Sequence, residues 1–136
     1  MISEKLKQRV MSFEGFRSGV YKCTSGKLTV GYGHNLEDTV LPKFIADLML
    51  DNDLKNAEAM LFATYPAYLE LSSDRRDVLI DMCFNLGIGR LRGFVLMHDA
   101  IAKGNFALAA EELLDSRYAI QVGKRAIINA DFMEKG

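Results

Sequence analysis

Three residues with the means to do chemistry share one stretch, "FEGFRSGVYKCTSGKLTVGYGHNLED", Phe13 to Asp38: Glu14, Cys23 and Thr29. A carboxylic acid can donate a proton, a thiol can donate, accept or attack, and a hydroxyl both donates and accepts hydrogen bonds. If the glycine-rich segment folds back over the point where Glu14 sits, the three meet. By type alone each has an ordinary alternative. A Glu at a helix end is usually solvated or capping, and a strand Thr usually reflects β-propensity.

The elements that must position them can be read from periodicity. Ser3 reads as an N-cap, and Leu6, Val10 and Phe13 fall at i, i+4 and i+7, so a short helix runs up to Glu14 and stops at Gly15. "GVYKCT" and "KLTVGY" flank Ser25-Gly26 and read as an antiparallel hairpin, with Lys27 and Thr29 on one face and Leu28 and Val30 on the other. Pro42 opens a helical pattern through Phe44, Leu48, Leu54, Ala57 and Leu61, either one long helix or two broken near Asp51-Asn52-Asp53. Ser72 or Ser73 caps "DRRDVLIDMCFNL", the expected central helix, which Gly87 ends. Shorter helices come next around "FVLMHDAIAKG", "FALAAEELLDS" and "GKRAIINADFMEK". The fold class is α+β, mainly α.

At 136 residues and 49% hydrophobic composition the chain suits one domain with one core. A net charge of -1 gives no reason to expect a nucleic-acid partner. The charged N-terminus lacks the apolar core of a signal peptide, and no segment reaches membrane-spanning length, so synthesis in the cytoplasm and no membrane insertion are expected. Cys23 and Cys83 stand far apart with no metal-ligand spacing; neither a metal nor another cofactor is expected. Cys83 reads as a buried free thiol. "GYGH" lacks the third glycine of a dinucleotide loop, and "DND" lacks the glycine and terminal glutamate of a calcium loop.

"FEGFR", "VYKCTSGKLTVGYGH", "RRDVLIDMCFNLG", Gly93-Phe94 and "SRYAIQVGKRA" together resemble the phage-type lysozymes of glycoside hydrolase family 24. The family spacing of Glu, then Asp or Cys, then Thr is met by Glu14, Cys23 and Thr29. The resemblance implies a lysozyme-like fold: a small hairpin lobe over about 14–62, a helical lobe of 1–13 plus about 63–136 around the central helix, and a cleft between. It implies a monomeric muramidase whose partner is peptidoglycan polysaccharide. The bond cut would be the β-1,4 link between N-acetylmuramic acid and N-acetylglucosamine. Action would require release through a membrane pore or delivery on a particle. A non-catalytic peptidoglycan-binding part of a phage particle is the alternative.

The resemblance also implies roles residue by residue. Glu14 is the acid that protonates the glycosidic oxygen. Cys23 stands where the family usually has Asp; it either positions water with Thr29, which favours inversion, or attacks as a thiolate that needs a cation such as Lys22 or Arg125. The resemblance places Phe84, Asn85, Gln121 and Arg125 against the sugar, with Arg125 paired to Glu14. It makes His34 and Asp53 a structural pair. Phe94 is expected in the core and His98 at the surface.

Overall fold

Ser3 begins the first helix as its sequence implies: its Oγ accepts the Leu6 N–H at 3.1 Å, a cap worth about 1 kcal/mol. Helix α1 (Glu4–Glu14) then runs until Gly15, whose φ of 71° turns the chain out of the helix. Glu14 is therefore the last helical residue. The computed structural model describes residues 1–136.

Strands β1 (Arg17–Lys22), β2 (Leu28–Gly31) and β3 (His34–Asn35) form an antiparallel sheet in the order β1-β2-β3. Tyr21 pairs with Thr29 and Lys22 with Leu28, while the register is irregular between Arg17 and Tyr21. The hairpin closes through Cys23 N–H to Lys27 O and Gly26 N–H to Cys23 O, each 2.9 Å. Strand β3 is an addition to the expected hairpin. It forms because the turn Gly31-Tyr32-Gly33 reverses the chain and lets Thr29 face Asn35. Asn35 also holds the turn after β3, its side-chain oxygen accepting the N–H groups of Glu37 at 2.8 Å and Asp38 at 3.0 Å.

Helix α2 (Lys43–Thr64) is one unbroken element that runs straight through Asp51-Asn52-Asp53. By internal contacts the chain divides into two compact units, Met1–Ala46 and Asp47–Gly136. The first holds α1, the sheet and the start of α2.

The second unit continues with a 3₁₀ turn (Pro66–Glu70), α3 (Ser73–Leu86), α4 (Ile88–Arg92), α5 (Val95–Ala102), α6 (Phe106–Leu114), α7 (Arg117–Val122) and α8 (Lys124–Lys135). Its core contains Leu61, Leu79, Met82, Leu91, Met97, Leu113 and Met133, all fully enclosed. Val78, Leu79, Met82 and Cys83 make α3 the central helix that the sequence implies, and Ser72 caps it. Arg75 ties α3 to the end of α8: its Nε–H donates to Met133 O at 2.8 Å and Nη2 to Glu134 O at 2.9 Å, with the guanidinium over the Phe106 ring at 3.5 Å.

His98 is not at the surface. It is half-buried, its Nε2 lies 2.7 Å from Leu91 O, its Nδ1 lies 2.6 Å from the Tyr68 hydroxyl, and its ring stacks on Tyr65 at 4.6 Å. Only an Nε2–H tautomer that accepts from Tyr68 satisfies both contacts. Burial lowers the His98 pKa, against the opposing effect of its bond to Leu91, and raises that of Tyr68. The signal was available in sequence: His98 shares a helical face with Phe94 and Ile101.

Candidate active site

Glu14 is carried to an exposed position by the end of α1. Its carboxyl rests against Gly33, so closely that a Cβ on that glycine would fall 2.6 Å from Oε2. Glu14 and the "GYGH" turn are thus brought together within the first unit.

Cys23 and Thr29 are brought together as well. Thr29 is only 2% exposed, the single buried residue of the first unit, and its hydroxyl donates to Lys27 O at 2.9 Å. With that proton engaged, Thr29 is left with lone pairs to offer, so toward a water it acts as an acceptor. Cys23 is a free thiol at the hairpin turn, with Sγ 3.0 Å from Ser25 Oγ. Its pKa is lowered to about 7, first by the Ser25 hydroxyl and then by backbone hydrogen bonds at Lys27 and Ser25, while burial works the other way and the nearby Thr29 hydroxyl has the smallest effect. Hydrogen bonds thus do what was expected of a cation. The turn "CTSGK" supplies them because a tight loop aims several donors at one atom.

His34, on β3, approaches the Thr39 hydroxyl through Nε2 at 3.4 Å. Asp53 lies exposed on α2, in the second unit. Phe84 and Asn85 sit exposed at the end of α3. Gln121, on α7, lines a cleft of about 560 Å³ with Arg90, Phe94, Glu112, Arg117 and Tyr118, all of the second unit. Phe94 packs edge-on against Tyr118 at 6.0 Å.

Arg125 commits its fork to Asp81, Nε at 3.0 Å and Nη2 at 2.6 Å, and Asn129 adds a third bond to the same carboxylate at 2.8 Å. Asn129 also donates to Tyr118 at 3.1 Å, so α3, α7 and α8 share one polar network. Burial works to raise the Asp81 pKa, but the bonds from Arg125 and Asn129 and the Arg charge outweigh it and hold the carboxyl below its usual range. Asp81 and Asn129 were missed in the sequence. The signal was an acid inside the apolar run "VLIDMCF", with an Arg and an Asn four residues apart on a later helix.

A helix-terminal Glu, a glycine turn against it and a Cys–Thr pair on the adjoining hairpin cover the motif that the sequence singles out. The model of the family described as phage lysozyme matches residues 11–128. The chain belongs to the phage lysozyme family. It is a lysozyme-type hydrolase. Among curated proteins it is 28% identical to an endolysin of Acyrthosiphon pisum secondary endosymbiont phage 1 over 91% of this chain and 85% of that protein. It is 31% identical to an endolysin of Bacillus phage B103 over 77% of this chain, spanning 41% of that longer protein, and 28% identical to one of Bacillus phage PZA, likewise 41% spanned.

Proposed function

We propose that this phage lysozyme is an inverting muramidase that cuts the β-1,4 bond between N-acetylmuramic acid and N-acetylglucosamine in peptidoglycan, and that it serves host-cell lysis. One observation carries the reading: a solvent-open carboxyl fixed at the end of α1, in the same unit as a thiol–hydroxyl pair suited to handling water. Glu14 donates its proton to the glycosidic oxygen as the C1–O bond breaks. A water whose proton Thr29 accepts in a hydrogen bond attacks C1 from the opposite face. Cys23, about half ionised near pH 7, takes that water's proton, and exchange with solvent returns both groups to their starting states. Phe84, Asn85, Gln121 and Arg125 are the glycan-contacting residues that the resemblance to the family implies.

The printed names of the relatives, all endolysins, support the lytic role. No helix is long and apolar enough to cross a membrane. Access to the wall is proposed to come through a pore made by another protein or by carriage on a particle. Clearing of a cell-wall suspension tests the reading. Glu14→Gln is expected to lose at least ~100-fold in rate with helical content intact. Cys23→Asp is expected to keep or improve the rate, since a carboxylate is a sound base at that position. A wild-type chain that binds walls without clearing them would instead support a non-catalytic binding part of a particle.

A further inference from the structure

The turn Gly31-Tyr32-Gly33 carries two glycines in the left-handed region, with φ of 68° and 67°. Their surroundings differ. A Cβ at Gly31 would meet nothing within 4 Å, as would one at each of the other positive-φ glycines apart from Gly33. At Gly33 it would lie 2.6 Å from Glu14 Oε2, 2.9 Å from Cδ and 3.4 Å from Cγ. Backbone conformation alone accounts for the other positive-φ glycines. Gly33 answers a second demand, the close approach of one carboxyl.

We propose that Gly33 is a positioning residue: its bare Cα is the seat on which the Glu14 carboxyl rests, and it fixes where the acid proton is delivered. The inference builds on the acid role proposed for Glu14. The two atoms that would collide, Oε2 and Cδ, belong to the end of a flexible side chain, so a methyl group at Gly33 would be relieved by the carboxyl swinging away rather than by the backbone giving. Stability would then register mainly the left-handed backbone, which Gly31 shares. Proton delivery would register the displacement, because a shift of about 1 Å in a reacting group costs on the order of 100-fold in rate.

Gly33→Ala and Gly31→Ala separate the two effects. Both are expected to lower the melting temperature by similar amounts. Only Gly33→Ala is expected to reduce kcat on peptidoglycan, by about 100-fold, with KM within about threefold of wild type, since glycan binding does not use the seat. A second readout needs no turnover: in protein carrying ¹³C-carboxyl glutamate, the Glu14 resonance, assigned by its loss in Glu14→Gln, is expected to move in Gly33→Ala and to hold in Gly31→Ala. An unmoved Glu14 resonance in Gly33→Ala would overturn the seat, as would equal kcat losses in the two variants. A wild-type chain without glycan cleavage would refute the acid role separately, while the resonance still decides the seat.

Discussion

The two units of this lysozyme are held by different means. In Asp47–Gly136 a continuous apolar core runs from Leu61 and Leu79 through Leu113 to Met133, and each of these side chains is fully enclosed. In Met1–Ala46 the one buried residue is Thr29, a polar one, and order comes from capped ends, strand pairing and tight turns: the Asn35 side chain on Glu37 and Asp38, the Leu28 N–H on Glu37 at 2.5 Å, the Cys23–Lys27 closure. Groups that meet substrate must stay open to it, so the role proposed for Glu14 and Cys23 accords with a unit held by directional bonds instead of by enclosure. The contrast lies in how each unit responds when one side chain is removed.

The largest loss is expected from the core. Leu79→Ala deletes a fully buried side chain on the central helix and should cost about 2–5 kcal/mol in denaturant unfolding. Asp81→Ala comes next. It leaves the Arg125 fork and the Asn129 amide without their acceptor, but Arg125 and Asp81 are about one-third exposed, so the loss should be nearer 2 kcal/mol than the value for a fully buried pair. The sign with pH is set by the depressed carboxyl. Asp81's contribution is fully present above the unfolded carboxylate pKa near 3.8 and is lost as pH falls through the lower folded value. Wild type and Asp81→Ala should therefore converge in stability in strong acid, and a constant gap down to pH 2 would refute the linkage.

Smaller effects are expected in the first unit. Asn35→Ala removes three exposed hydrogen bonds at the exit of β3, two accepted from the Glu37 and Asp38 N–H groups and one donated to the Asp38 carboxylate, and should cost about 1 kcal/mol, seen as faster amide exchange at Glu37 and Asp38. A cost as large as that of Leu79→Ala would break the contrast. Ser25→Ala should barely change stability yet raise the Cys23 pKa above about 7, because the Ser25 hydroxyl is the foremost cause of its lowering. The pH profile of iodoacetamide alkylation reads this directly. An unmoved profile would return the thiol to some other source of stabilisation, such as a cation.

Much of this was legible in the sequence where the signal is local. Ser3, Gly15, Ser72 and Gly87 mark helix ends by their own chemistry, and the hairpin is announced by Ser25-Gly26 between β-branched runs. The Glu14–Cys23–Thr29 spacing became informative only through the resemblance, since spacing does not reveal that Gly33 lies against the carboxyl. The contacts that escaped were non-local. Asp81 meets Arg125 across 44 positions of sequence, and His98 meets Tyr68 across 30, so the first passed unread and the second read as a surface histidine until the elements carrying them were packed. The cause of the low Cys23 pKa escaped for another reason: Ser25 reads as a turn residue before it reads as a donor to the thiol, and the backbone donors that add to it belong to every residue and leave no trace in a reading of side-chain types.

The central claim is that Glu14 and water cleave a glycosidic bond with inversion at C1. Proton NMR of wall glycan during the first minutes of digestion tests it most directly. The expected result is a new reducing end at N-acetylmuramic acid that appears first as the α-anomer and then mutarotates, and none above background with Glu14→Gln. A β-anomer formed first, a glycosyl–sulfur adduct at Cys23, or clearing of walls with no new reducing end would contradict it.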